Sequence, residues 1–258
     1  MGDGIVGTGS GTQRAEVTLR RFWKTVGIME QPDGSYHITL DGRPLKTPSA
    51  ARLSIPSDRK ILAVLIANEW ENQSEVLKVS GLPLTSLASR ALDGMTEEEV
   101  KKGVTDELLR YLDTDTTCFP SDGPSPLVRL QEQHWDTLHL WYKQQFGINI
   151  KSFPELVLSG QKFEQDAETR RVLREEVEKF DEFQMAALER ATYASKSFLI
   201  GFALVYGRLS ADQAASASHV EVTAQIKLWG EVEDAHDVDH QDVRKALGSA
   251  VCILKRHP

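Results

Sequence analysis

The residues whose types and spacing could support chemistry lie close together near the C-terminus. His236 and His240 are four positions apart, the spacing at which a helix presents two imidazoles to one zinc ion. Asp237 would stand where metalloproteases carry their general-base glutamate, but a hydrolytic zinc site also needs a third protein ligand. Downstream, only Asp242 and His257 could supply one. A metal-dependent hydrolase using His236 and His240 is therefore an alternative, and no metal site is predicted because a helix break is expected here.

The same stretch carries an unusual concentration of carboxylates. Residues 231–242 hold six acidic residues and no lysine or arginine. On a helix, Glu231 would repel Asp234 and Glu233 would repel Asp237, at about 0.2–0.5 kcal/mol for each pair. The acids also follow a long predicted helix, at the end of its dipole that disfavours negative charge. Repulsion between these four acids that no nearby positive charge offsets indicates that they form an interaction site. The alternative is an acidic turn that is simply solvated and binds nothing.

The elements that must position this stretch are mostly helices. Apolar periodicity and capping signals predict eight segments. They are 57–78, 83–92, a helix from the Thr96 capping box to Leu112, a Trp-rich helix that follows the breaker cluster over 121–126 and runs through Trp135 and Trp141 to Phe146, 165–190, a buried helix over 195–206, a helix from the Ser210 capping box through His219 to Trp229, and a last helix opened by Asp239 and Asp242. His219 and Trp229 fall on one apolar face, and His219 is interpreted as a core residue.

Strands precede the helices. From Phe22 to Ile55 short alternating segments are separated by turns, and Asp41-Gly42 is typical of a type I′ hairpin. Pro44 indicates an edge strand. Because strands and helices do not alternate, the fold class is α+β: a small N-terminal β-meander covered by helices, followed by a C-terminal all-α orthogonal helical bundle. The predicted domains are a flexible tail over 1–13, a small α/β domain over 14–94 and a helical domain over 95–258.

Composition excludes several classes of protein. The 258 residues carry a net charge of −8, which argues against a nucleic-acid partner. The longest uncharged apolar stretch, 198–206, is far shorter than the ~20 residues that span a bilayer, so no membrane partner is predicted. Gly2 to Gly7 fit a dinucleotide fingerprint but lack the preceding strand, so no cofactor is predicted. Trp70, on the stripe of Leu62 and Ile66, is interpreted as core.

Six stretches in order carry a family resemblance. They are Arg21-Phe22-Trp23-Lys24, Leu40-Asp41-Gly42-Arg43-Pro44-Leu45-Lys46-Thr47-Pro48, Glu69-Trp70 with Gln73, Leu82-Pro83-Leu84-Thr85, Leu112-Asp113-Thr114-Asp115-Thr116 and Trp229-Gly230-Glu231-Val232-Glu233. Together they resemble the mitochondrial ATP synthase assembly chaperones that bind the F(1)-ATPase alpha subunit, and the acidic stretch is closest to fungal members. The likeness extends from about Arg20 to Leu254.

The resemblance implies a chaperone rather than an enzyme, located in the mitochondrial matrix, with any transit peptide removed. It implies binding of the unassembled alpha subunit and shielding of its beta-facing surface until the hexamer forms. The family's functionally important acids would correspond to Glu231 and Glu233. Nothing in the sequence requires more than a monomer. A structural adaptor without client protection is a further alternative.

Overall fold

The sheet comes first in the chain and is built around one strand. In a computed structural model of the protein, the described residues are 20–153, 163–230 and 235–257, without the side chains of 235–237. The four antiparallel strands are β1 (Val26–Glu30), β2 (Tyr36–Leu40), β3 (Arg43–Pro44) and β4 (Ser54–Ile55). β1 pairs along the whole of β2 on one side, while β3 and β4 share its other side. β2 is entirely buried, so the sheet needs a cover.

The β2–β3 turn has the predicted chemistry. Asp41 and Gly42 both take positive φ, at 48° and 77°, as a type I′ turn requires. The Asp41 carboxylate also accepts hydrogen bonds from the backbone amides of Lys24 (3.0 Å) and Thr25 (2.9 Å). This turn therefore fixes the entry of the chain into β1. Pro44 lies in β3, which pairs only with β2 among the described residues, as expected for an edge strand.

Helices make up most of the rest of the described chain. The helices are α1 (Lys60–Glu71), α2 (Pro83–Gly94), α3 (Glu98–Arg110), α4 (Ser125–Gln131), α5 (Thr137–Phe146), α6 (Ala167–Glu178), α7 (Glu182–Ser195), α8 (Phe198–Val205), α9 (Ala211–Ser218), α10 (Val220–Trp229) and α11 (Ala235–Leu254), with one π-helical turn over Glu132–Asp136. The α+β fold class is therefore confirmed. In the described ranges, no helix has the length and apolar character needed to cross a bilayer.

Two layers of packing connect the sheet to the bundle. α1 covers the sheet with its buried face, Leu62, Ala63 and Ile66. α2 packs against α1 on one side and against α7 and α11 on the other. α8 is buried along its whole length at the centre of the bundle. The division into domains over 14–94 and 95–258 stays a prediction. α2 belongs to the first of these ranges but packs against helices in both.

Several helix boundaries predicted from sequence were wrong. The predicted helix over 165–190 is two helices, because the Asp181 carboxylate accepts from the amide of Gln184 and starts α7 anew. The Thr96 capping box is absent from the described structure: Thr96 instead donates to the carbonyl of Leu92, and α3 begins after Glu97 without a side-chain cap. The Ser210 capping box is confirmed.

The last two predicted helices also differ. The helix expected from Ser210 to Trp229 breaks at His219 into α9 and α10. The last helix begins at Ala235 rather than at Asp239, so α11 runs without interruption through the stretch where a break was expected. The acidic stretch is thus partly the connection between α10 and α11 and partly the first turns of α11.

Candidate functional site

The predicted interaction site lies at the connection between α10 and α11. Glu231, Glu233 and Asp234 lie outside the described residues, and Asp237 is described only as part of the backbone of α11. Their side-chain geometry therefore stays a prediction. The structure does describe the residues on both sides of them, and these define where the acidic segment, residues 231–237, is placed.

The upstream side ends in a backbone turn that needs glycine. The amide of Gly230 donates to the carbonyl of Ile226 at 2.9 Å and closes α10. Its φ is +88°, a conformation that costs other residues a penalty because of their Cβ atom. The chain therefore leaves α10 sharply at Gly230 and enters the acidic segment.

Large apolar side chains flank the acidic segment in solvent. Trp229 is 78% exposed, Val238 is 60% exposed and Leu228 is 41% exposed. The prediction that Trp229 shares a buried face with His219 was wrong, because the break at His219 resets the helical phase. α10 packs through Val220 and Ala224, and at about 100° per residue Trp229 projects from the opposite side of the helix.

The downstream side is fixed by His219, a buried residue as predicted. Its Nδ1 donates to the carbonyl of Ala215 at 2.9 Å and lies 3.2 Å from the Ser218 hydroxyl. Its Nε2 lies 3.1 Å from a carboxylate oxygen of Asp239, and its ring contacts that of His240 at 5.3 Å between centroids. His219 therefore joins the α9–α10 junction to the first turns of α11, next to the acidic segment.

The nearest basic residues that follow the segment are engaged elsewhere. The Arg244 guanidinium pairs with Asp212 at 2.6 Å, and Lys245 donates to the carbonyl of Ser80. These two cations therefore have other partners than the carboxylates of residues 231–237.

The zinc alternative gains no support from the described side chains. Because α11 is continuous, His236 and His240 keep their spacing of four residues, contrary to the expected break. The ring of His240 packs on His219, and the side chain of His236 lies outside the described residues. Among the described side chains, no group of three or more His, Cys, Asp or Glu could hold a metal ion.

Other residues singled out by the sequence have structural roles. The Glu69 carboxylate accepts from the backbone amides of Leu84 (2.6 Å) and Thr85 (2.9 Å), at the start of α2. Trp70 is half-buried, packs on Trp23 with 5.0 Å between ring centroids, and donates from Nε1 to the Thr85 hydroxyl at 3.0 Å. These residues therefore fix the junction between the sheet and the bundle.

Asp115, in the stretch that could have decorated a cation, is fully buried. It accepts from the Ser197 hydroxyl at 2.8 Å and from the amide of Leu199 at 3.0 Å, at the start of α8. Sequence reasoning missed this cap because α8 and Asp115 are more than 80 positions apart. It also missed Arg59, which is 1% exposed and binds Asp181 at 2.7 Å.

Comparisons with known proteins agree with the fold. Residues 20–143 match the family described as ATP12 chaperone protein. The mitochondrial protein atp12 of Schizosaccharomyces pombe is 34% identical over 93% of this chain and 83% of its own length. The mitochondrial protein ATP12 of Saccharomyces cerevisiae is 28% identical over 93% of this chain and 85% of its own length.

A solved structure is similar over nearly the whole fold. The crystal structure of Atp12 from Paracoccus denitrificans superposes with a TM-score of 0.78, covers 91% of this chain and 97% of its own, and is 29% identical. The names of the two fungal relatives support a mitochondrial location for this chain. None of these similarities supports the hydrolase that His236 and His240 suggested. The chain belongs to the ATP12 chaperone protein family and is a chaperone, not an enzyme.

Proposed function

We propose that the protein is an assembly chaperone for ATP synthase. Its client, the protein that it binds transiently, is the unassembled alpha subunit of the F(1)-ATPase in the mitochondrial matrix. Bound at the acidic segment, the chaperone shields the surface of the alpha subunit that later contacts the beta subunit. The observation that carries the proposal is the position of Trp229, which is 78% exposed immediately before the segment.

The combination of an exposed indole with carboxylates suits a transient complex. Tryptophan is enriched among the residues that contribute most to protein interfaces, because it buries a large apolar area. Charges at an interface rim contribute orientation and association rate more than affinity. A nucleotide-binding subunit offers arginines and lysines, which the acidic segment could attract. The chaperone could then release its client when a stronger partner arrives.

A charge-reversal variant tests the role of the acids. Glu231→Lys/Glu233→Lys should weaken binding to isolated alpha subunit and reduce protection of that subunit from aggregation, measured by pull-down and light scattering. The matched control is Glu98→Lys/Glu99→Lys, an equal change of charge at two exposed positions in the first turn of α3. Retained protection by the first variant, with circular dichroism unchanged, would remove the role proposed for the acids.

A truncation of the indole tests the apolar contact separately. Trp229→Ala removes an exposed side chain, so folding stability should change by less than about 0.5 kcal/mol. Client affinity should fall at least about tenfold if Trp229 is a main anchor. Leu140→Ala, at another exposed apolar position (53% exposed), is the control.

The alternative of a structural adaptor has its own test. If the protein stays bound in the assembled enzyme instead of binding the client transiently, it is an adaptor.

A further inference from the structure

A groove between α2, the end of α1 and residues 46–48 is formed in part by three of the stretches that carry the family resemblance. It has a volume of about 550 Å³ and is lined by Lys46, Pro48, Trp70, Leu82 and Ser86, among others. Pro48, Trp70 and Leu82 give it an apolar floor. The stretches are far apart in sequence and meet only in the folded protein.

The floor of the groove is held rigidly. The indole of Trp70 is fixed by its hydrogen bond to Thr85 and by its contact with Trp23. The start of α2 is fixed in turn by the Glu69 carboxylate. A preformed apolar surface binds a partner without the cost of ordering flexible side chains.

The cations Lys46 and Arg90 line the rim of the groove, and Arg52 lies beside it, opposite Lys46. Lys46 faces Arg52 in an antiparallel bridge, both side chains are exposed, and neither has an ion pair with any residue that the structure describes. Like charges directly opposite each other on neighbouring strands destabilise the pair. Asp93 is the one carboxylate among the residues that line the groove; it accepts hydrogen bonds from the Ser49 amide (3.1 Å) and hydroxyl (2.5 Å) and keeps its negative charge, so the cations outnumber it.

The groove is continuous with the surface that leads to α11. Ser86 and Arg90 of α2 line both this groove and a second one of about 510 Å³. The far wall of the second groove includes Tyr193, Asp242 and Lys245, so it reaches the N-terminal half of α11. A partner bound beside the first half of α11 can therefore extend along the second groove and over α2 into the groove beside Trp70.

We propose that the groove beside Trp70 is a second contact for the client, which rests on the function proposed above. The occupant is a client segment that places an apolar side chain against Trp70, Leu82 and Pro48. Carboxylates next to that side chain pair with Lys46 and Arg52. The chaperone then holds one client by two contacts of opposite charge, and two linked contacts bind more tightly than either alone.

Two variants test the groove by different means. Lys46→Glu/Arg52→Glu reverses the rim, and Ser86→Trp fills the groove from an exposed position on α2. Each should raise the Kd for isolated alpha subunit about tenfold, measured by calorimetry at low salt. Lys24→Glu/Lys102→Glu and Gln144→Trp make the same changes at exposed positions outside the groove and should leave the Kd unchanged.

The outcomes separate this proposal from the proposed function. If the native protein binds alpha subunit and both groove variants bind equally well, the second contact is overturned and the client assignment stands. If the native protein does not bind alpha subunit, the client assignment fails. Self-association of the native protein that Lys46→Glu/Arg52→Glu abolishes, with client binding unchanged, would assign the groove to a second copy and overturn the proposal.

A crosslink identifies the chemistry of the occupant. With p-benzoylphenylalanine in place of Ser86, irradiation of the complex should attach a client segment that contains Asp or Glu beside a large apolar residue. Attachment to a basic segment would contradict the proposed charge pairing.

Discussion

Asp115 shows how much of the fold depends on one carboxylate that sequence reasoning left unassigned. It accepts hydrogen bonds from the Thr117 amide and hydroxyl, the Ser197 hydroxyl and the Leu199 amide. Burial raises the pKa of Asp115, while these hydrogen bonds act in the opposite direction. The residue ties the turn after α3 to the start of the buried helix α8.

Replacement of this carboxylate should be costly. We expect Asp115→Ala to lower the free energy of unfolding by about 3–5 kcal/mol, because donors from Thr117, Ser197 and Leu199 would remain buried without acceptors. Urea denaturation measures the change. The control, Asp122→Ala, removes an exposed carboxylate and should cost less than about 0.5 kcal/mol. Similar stability of the two variants would contradict the role of Asp115.

His139 should make the fold sensitive to acid. Burial lowers its pKa to about 4, and its Nε2 lies 3.2 Å from the Thr117 hydroxyl. The pKa of a histidine in the unfolded chain is about 6.5. Between that pH and about 4, His139 therefore binds a proton in the unfolded state but not in the folded state. The contribution of His139 to the free energy of unfolding is fully present above pH 6.5. About 2–3 kcal/mol of it is lost as the pH falls towards 4.

The comparison of two histidine variants isolates that effect. Between pH 7 and pH 4, native protein should lose about 2–3 kcal/mol more stability than His139→Gln. His257→Gln, at an exposed position, should follow the native protein. Parallel pH profiles for native protein and His139→Gln would show that His139 is protonated as readily in the folded state as in the unfolded state.

At the scale of elements, α10 and α4 pack on each other outside the main core. α10 packs mainly on α4, through a small cluster that is separate from the main core. The cluster consists of Leu130, Trp135, Val220 and Ala224, and Trp135 donates from Nε1 to the carbonyl of Ala217 at 2.9 Å. α10, which carries Trp229, can therefore loosen without opening the main core.

A cavity in this small cluster should have a local effect. Leu130→Ala should cost about 2–4 kcal/mol locally and speed amide hydrogen exchange in α4 and α10, while exchange in α7 and α8 stays slow. Exchange measured by mass spectrometry tests this, with Leu140→Ala as the exposed control. Faster exchange throughout α7 and α8 would show that the two clusters are coupled.

Sequence patterns predicted the helices better than their interruptions. The turn at Asp41-Gly42 and the capping box at Ser210 depend on neighbouring residues, so both could be predicted. The break before Asp181 was missed although its capping box with Gln184 is a local signal, because the charged periodicity of 165–190 continues across it. The exposure of Trp229 depends on the break at His219, which no local stop signal marks. The acidic segment could be predicted as a site, whereas its apolar neighbours required the structure.

At the scale of the whole molecule, sheet and bundle share one core. A single buried cluster contains Ile38 and Ile55 of the sheet and Phe202 and Leu247 of the bundle. Arg59 reinforces the connection: it donates to the carbonyl of Ile253 at 2.6 Å and to Asp181, and its guanidinium lies over the ring of Phe183. Asp181 also binds Arg256, near the C-terminus.

This shared core predicts one cooperative unfolding transition. Tryptophan fluorescence, which includes Trp23 and Trp70 beside the sheet, and circular dichroism, which reports the helices, should give coincident urea curves. Arg59→Met should shift both curves together, by about 1–3 kcal/mol, because the buried carbonyl of Ile253 loses its donor while Asp181 keeps Arg256. Arg52→Met, at an exposed position, is the control. Two separate transitions would contradict the shared core.

The exposure of Trp229 gives the protein an optical reporter at its proposed client site. Of the five tryptophans, Trp23 and Trp135 are buried and Trp70 and Trp141 are half-buried, so Trp229 is the one most open to solvent. A collisional quencher such as acrylamide should act mainly on its emission. Client binding should lower that quenching and move the emission to shorter wavelength, so association and release can be followed in real time without a label.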